Sequence, residues 1–417
     1  MNHFNRIDGI LHAESVPLSR IAQDVGTPVY IYSRATFERH FRVFDAAFAE
    51  VDHLVCFAVK ACSNIAILQT LAQLGSGFDI VSEGELARVL HAGGNPAKIV
   101  FSGVGKTERE MEKALQAGIL CFNVESLAEL HQLSAVANRL GVQAPVSLRI
   151  NPDVDPKTHP YIATGLRNNK FGIQWDKAIP AYKEAMALGG IRVLGLDCHI
   201  GSQISDITPM VEAMARMVEL LDALKTLGLE IEHLDVGGGL GITYGAEVPP
   251  TPAVYASRLL DVLGPRRLRI IAEPGRVIAG NAGILLTKVL LTKENHGKRF
   301  VVVDAAMNDA IRPALYQAWH GIEPVAKARD ETDEVDVVGP ICESGDFLAQ
   351  NRVLPRVEAG ELLCLQSSGA YGFAMASNYN SRPRVPEVLV DGDRYHVIRD
   401  RESISSLYAL ERLLPVD

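Results

Sequence analysis

The sequence predicts an α/β fold: a TIM (β/α)8 barrel followed by a second, mostly β-strand domain. Three observations carry this. β-rich apolar runs recur through the first two-thirds of the chain, each is followed by helical periodicity, and after about Gly280 the helices drop out. With 417 residues, 47% of them hydrophobic, the chain can bury a large core and divides into two or three domains at roughly 100–200 residues each.

The apolar runs are, in order, VCFAVKA from Val55, FDIVS from Phe78, IVFSG from Ile99, CFNVES from Cys121, VSLRIN from Val146, LGLDCHIG from Leu194, HLDVGGG from His233 and RIIAEPG from Arg269. Stretches such as Glu83 to His91 and Glu125 to Leu140 read as the helices between them. Eight βα units imply a closed barrel, and their total length fits the roughly 250 residues of that architecture. A doubly wound open sheet is the alternative. Beyond Gly280 come ILLTKVLLTKE, RFVVVDAA, EVDVVGPICES, ELLCLQSS and VLVDGDRYHVIR, the last with a hairpin turn at its DGD. The expected organisation is residues 1–30 as a strand segment joining the carboxy-terminal domain, 31–280 as the barrel, and 281–417 as the β domain.

The formal charge of −9 is spread without a run of five or more like charges, which argues against a nucleic-acid arm or acidic tail. The amino terminus, MNHFNRIDGILHAESVPLSR, lacks a signal-peptide core, and no window approaches the roughly 18 apolar residues of a membrane span. The six cysteines are scattered without CxxC pairs, so neither a structural metal nor a disulfide framework is expected. These features predict a soluble, cytoplasmic protein.

A barrel places its chemistry at the carboxy ends of its strands. The first run ends in Lys60, whose ammonium is costly to bury unless it is paired or its pKa is lowered, the state in which lysines form imines; taken alone, a lysine closing a strand is a surface residue. The eighth run ends Glu273-Pro274-Gly275-Arg276: a carboxylate, a turn with accessible N–H groups, and a guanidinium suited to an oxyanion or to pairing with Glu273. The seventh passes into Gly237-Gly238-Gly239-Leu240-Gly241, which lets backbone amides approach a phosphate. It does not fit the dinucleotide pattern GxGxxG, because Ile242 and Tyr244 hold the last position. The sixth ends in His199 and Ser202, an imidazole able to stack on a planar ring and a hydroxyl able to bind phosphate. Lysine, carboxylate, phosphate loop and histidine on separate strands are what a pyridoxal phosphate site requires.

The segments FAVKACSN around Lys60, FDIVSEGE from Phe78, HIGSQ from His199, GGGLG from Gly237, EPGR from Glu273 and GPICESGD from Gly339 together resemble the diaminopimelate decarboxylase family. The resemblance runs from YIYSRATFERH to NYNSRPR at Asn378, nearly the whole chain. It implies pyridoxal 5'-phosphate as cofactor and no metal, and a homodimer with active sites at the subunit interface. Lys60 would be the Schiff-base lysine, Glu273 the partner of the pyridine nitrogen and His199 the ring-stacking residue. Ser202, Gly239, Pro274, Gly275, Arg276 and Tyr371 would surround the phosphate, with Asp79 supporting the cofactor.

Cys342 matches the family's proton donor; by itself it would read as an inert thiol. Arg312 and Tyr316, four apart and thus on one face of a helical turn, would meet the substrate's distal carboxylate with Arg276. Glu343 would bind the distal ammonium, and Tyr371 would reach both phosphate and substrate. Cys62 departs from the asparagine more usual two residues after the lysine.

The implied reaction is decarboxylation of meso-2,6-diaminopimelate to L-lysine. A related ornithine, arginine or carboxynorspermidine decarboxylase would share Lys60 and EPGR, but those substrates that lack a distal carboxylate would leave Arg312 unpaired. An amino-acid racemase of similar fold is disfavoured by Glu273, and a non-catalytic relative by the presence of Lys60, Cys342 and the phosphate loop.

Overall fold

The computed structural model describes residues 2–166 and 168–415. Eight strands form the barrel: β1 (His53–Ala58), β2 (Gly77–Ile80), β3 (Ile99–Phe101), β4 (Cys121–Val124), β5 (Ala144–Asn151), β6 (Ile191–Asp197), β7 (His233–Asp235) and β8 (Arg269–Ala272). Each pairs in parallel with the next, and β8 pairs in parallel with β1, so the sheet closes. This is the barrel predicted from the eight apolar runs, and closure excludes the open sheet. Strands covered on both faces need no polar alternation, which is why β2, β3, β4 and β7 are buried throughout.

The turns from strand to helix are set by hydroxyl side chains. Ser82 accepts from the Glu85 amide, Ser126 accepts from the Glu129 amide, and Thr107 forms a reciprocal capping box with Glu110. The cap at Ser126 starts its helix at Leu127 rather than at Glu125, where the sequence pattern suggested. Glu125 is thereby left in the loop at the barrel mouth, free of the helix.

Contact clustering separates a barrel unit, Glu38–Thr243 with Glu247–Ile278, from a second unit of Met1–Phe37, Tyr244–Ala246 and Ala279–Asp417. The second unit is mostly strand. Its largest sheet runs from Phe347–Pro355 through Thr332–Val338, Lys298–Val303, Gly283–Asn295, Val29–Ser33 and Glu387–Asp391 to Arg394–Arg399. Val29–Ser33 pairs antiparallel with the start of Gly283–Asn295 and parallel with Glu387–Asp391. Its inward face packs Leu11, Leu18, Ile21, Val29, Ile31, Ile284, Leu286 and Val388 into one apolar cluster.

In the second unit, two strands lie beyond those legible in the sequence, Phe347–Pro355 and Ile322–Pro324. The first is interrupted by Gln350, Asn351 and Arg352, and Asn351 sits at φ 47°, a left-handed position where the register against Thr332–Val338 shifts. Its apolar alternation breaks at that bulge. The second has only three residues.

One contact in the barrel gives a stability test. On β6, a Cβ at Gly195 would collide with the Ser147 hydroxyl on β5 and the His233 ring on β7, which are themselves hydrogen-bonded at 2.6 Å. Gly195→Ala is expected to lower unfolding free energy by about 2 kcal/mol through overpacking, read as a lower urea midpoint with an unchanged slope.

Candidate active site

The barrel unit gathers the first set of predicted residues at the carboxy ends of its strands. Lys60 lies in a single 3-10 turn, Val59–Ala61, directly after β1, and its ammonium is ion-paired with Asp79 on β2. The lysine side chain is 35% exposed while the aspartate is fully buried, so the amine is reachable and its counter-charge is not. The second Asp79 oxygen, Oδ1, is buried without a hydrogen-bond partner.

Glu273 follows β8. Its Oε1 accepts from Asn123 Nδ2 at 3.1 Å and from the Ser102 hydroxyl at 3.3 Å. Arg276 turns elsewhere: its Nη2 donates to Ser202 Oγ at 3.0 Å. Of the two roles the sequence allowed for this guanidinium, the geometry favours the one beside the hydroxyl.

Asp197 at the end of β6 and Asp235 at the end of β7 complete a carboxyl cluster with Glu273, their oxygens within 4.8 Å of one another. Three charges so close in a low-dielectric interior oppose one another's ionisation, which raises the pKa of each. Burial, then the neighbouring acids Asp235, Asp79 and Asp197, push Glu273 well above the usual carboxylate range, with Lys60 pulling the other way. Burial and Asp235 do the same to Asp197. Asp235 is pushed up to about 7 by burial, against the pull of the Gly237 N–H that it accepts at 2.9 Å.

His199 is held as a neutral ring. Burial, then the cations of Arg149 and Lys60, hold its pKa well below the ordinary imidazole value. Its Nδ1 accepts from the Gly238 amide at 3.0 Å, which leaves the proton on Nε2. Arg149, on β5, donates to the His199 carbonyl at 3.3 Å and to Glu125 at 3.0 Å, bracing the loop that carries the ring.

The glycine loop needs glycine for two reasons. Gly237 and Gly239 have φ of 64° and 111°. A Cβ at Gly238 would strike the Glu273 carbonyl, and one at Gly239 would lie 2.5 Å from the Gly201 carbonyl. The loop is therefore wedged between the chain after β8 and the loop of His199.

The remaining predicted residues belong to the second unit. Arg312 opens the helix Arg312–Tyr316, so Arg312 and Tyr316 do share a helical turn. Cys342 and Glu343 stand exposed on the loop 339–346. Asp346 shapes that loop by accepting from the amides of Ile341 and Met307, both at 2.7 Å. The Cys342 amide donates to Asn380 at 2.9 Å, and Tyr379 donates its hydroxyl to Glu343 at 2.7 Å. Tyr371 has φ 57°, a conformation that an L side chain adopts at a cost.

Sequence reasoning missed Ser102, Asn123, Glu125, Arg149, Asp197 and Asp235. All six lie within the predicted strand runs, so the strand-end rule that selected Lys60 and Glu273 was a signal for these as well.

Comparison with known proteins gives the following. Residues 34–280 match the family model described as "Pyridoxal-dependent decarboxylase, pyridoxal binding domain". A diaminopimelate decarboxylase of Vibrio cholerae is 58% identical over 417 residues, all of both chains. That of Helicobacter pylori, in a crystal structure complexed with L-lysine, is 43% identical with a TM-score of 0.92, over 94% of this chain and 99% of that one. That of M. jannaschii, also with L-lysine, is 37% identical with a TM-score of 0.95, over 100% and 99%.

The residues present fit the cofactor that this family uses. A reachable amine at Lys60, a buried acid at Glu273, a flat neutral ring at His199, a glycine loop with Ser202 and Arg276, and the unpartnered Asp79 Oδ1 are the kinds of group such a cofactor would need.

The acid cluster has a pH consequence. The ordinary aspartate value is 3.8 and that of folded Asp235 is about 7, so the folded chain holds this proton more tightly. Its contribution to stability is full below the lower value and is lost as pH rises to the upper one. Urea unfolding of the cofactor-free protein should show stability falling across that window, and Asp235→Asn should flatten the fall.

Proposed function

Because the chain belongs to the diaminopimelate decarboxylase family, we propose that it removes one carboxylate of meso-2,6-diaminopimelate as carbon dioxide and leaves L-lysine. The observation that carries this reading is the reachable Lys60 amine paired with buried Asp79, in a barrel that also holds the buried carboxyl cluster of Glu273, Asp197 and Asp235. Bound pyridoxal phosphate supplies an electron-withdrawing ring that accepts the electron pair of the breaking bond.

Lys60 is the attachment point, and Asp79 holds its ammonium until the cofactor arrives. Glu273 would stand at the pyridine nitrogen, and the acids around it, which raise its pKa, would favour a proton there and so the charged ring. Asn123 and Ser102 fix that carboxyl by donating to Oε1. His199 would lie against the ring as a neutral imidazole. Ser202, Gly239, Pro274, Gly275 and Arg276 would hold the phosphate, with Tyr371 reaching both phosphate and substrate.

Arg312, Tyr316 and Arg276 receive the distal carboxylate, and Glu343 receives the distal ammonium. An arginine aimed at a distal carboxylate disfavours ornithine and arginine, whose cationic ends would face it unpaired. Cys342 gives its proton to the carbon that carbon dioxide leaves. Its exposure in the single chain, with that of Glu343, supports a homodimer in which the loop is presented to a second copy.

We place the protein in the cytoplasm: no helix among the described residues is long and apolar enough to cross a membrane, and its cysteines are free thiols.

The purified holoenzyme is expected to release lysine and carbon dioxide from meso-diaminopimelate and not to accept ornithine, arginine or carboxynorspermidine; activity on one of these alone would refute the specificity argument. Lys60→Ala should abolish turnover. Cys342→Ala should lower kcat by roughly 100-fold or more with KM little changed, as loss of a positioned acid predicts.

A further inference from the structure

We propose that His320 and Tyr244 are positioning residues that fix the Arg312 guanidinium for the distal carboxylate, and so set the enzyme's discrimination at that end. The proposal rests on the reading of Arg312 given above.

The geometry around Arg312 is close. Arg312 Nη1 lies 2.8 Å from His320 Nε2, and His320 Nδ1 lies 2.8 Å from the Gln366 carbonyl. A guanidinium only donates, so Nε2 must accept; the proton is then on Nδ1, which donates to Gln366. The imidazole is locked in one tautomer and offers its lone pair to the arginine. On the other side the Arg312 guanidinium stands 4.6 Å from the centre of the Tyr244 ring, and that ring meets His320 edge-on at 5.2 Å.

The support beneath this triad is rigid. His320 is 2% exposed. The Gln366 amide donates to the Gly321 carbonyl at 2.8 Å, continuing the pairing of Ile322–Pro324 with Leu362–Leu365. Arg352 donates to the His320 carbonyl at 2.7 Å while its guanidinium lies over Trp319. The helix bearing Arg312 ends at Gln317 in a left-handed conformation, which turns the chain so that His320 returns to face the arginine. A free arginine side chain has many rotamers, and holding it in one aims its planar fork before a ligand arrives.

A merely structural histidine would affect all ligands alike; a positioning one affects only those with a carboxylate at that end. The test uses holoenzyme, with KM for diaminopimelate and inhibition by L-lysine and by 1,5-diaminopentane, which lacks the carboxylate. His320→Ala is expected to raise KM and weaken lysine inhibition by roughly 10- to 100-fold, the range for losing a hydrogen bond to a charged group. Inhibition by diaminopentane and the cofactor absorbance should be unchanged.

His320→Gln, whose side-chain oxygen can accept from Arg312, should recover most of the lysine affinity. Tyr244→Leu should show the same selective loss and carries the test if His320→Ala fails to fold. Equal weakening of both inhibitors, or a glutamine variant as impaired as the alanine one, overturns the proposal. Arg312→Ala separates the two claims. If it does not distinguish lysine from diaminopentane, the reading of Arg312 fails; if it does while the His320 and Tyr244 variants do not, only the positioning role fails.

Discussion

Three carboxyl groups in one buried corner are the constraint around which the barrel mouth is arranged. Asp197, Asp235 and Glu273 come from three consecutive strands, β6 to β8, and their oxygens crowd within 4.8 Å. Burying even one ionised carboxylate is costly, and the remedies are hydrogen bonds, counter-charges and retained protons. All three are present. Asn123 and Ser102 donate to Glu273, the Gly237 amide donates to Asp235, and Arg149 and Lys60 bring positive charge. Burial, with help from the same cations, holds the pKa of His199 low, so the buried corner acts on both the acids and the ring.

That field needs close backbone packing, which the glycines supply. Gly238 and Gly239 admit no Cβ because the carbonyls of Glu273 and Gly201 occupy the space. The chain after β8 is thereby held against the loops after β6 and β7, which keeps the acids, the histidine and the glycine loop at fixed separations.

Much of this was legible in the sequence, because apolar runs that stop at a polar residue mark both a barrel strand and its catalytic end. All eight strands were found this way, as were Lys60, His199 and Glu273. Their partners were harder to see. Asn123 is flanked by apolar residues within CFNV, and Arg149 sits inside SLRI; each looks like an interruption of a core strand until closure of the barrel turns it toward its acid. His320 carries no motif at all. Its relation to Arg312 depends on the left-handed turn at Gln317 and on Gln366, which is distant in sequence. The bulge at Asn351 hid a strand for a similar reason, since one extra residue inverts the alternation that the eye follows.

The distribution of sulfur bears on how the molecule ages. Cys56, Cys62, Cys121, Cys198 and Cys364 are buried, and burial pushes the thiols of Cys56, Cys121, Cys198 and Cys364 up, away from the reactive thiolate. Cys342 alone of the six stands in solvent in the single chain, on a loop that contributes nothing to the barrel core. Oxidants and alkylating agents therefore meet that sulfur first. Modification there leaves the buried core thiols and the barrel packing untouched, so on the reading proposed above the chain would lose catalysis before it unfolds.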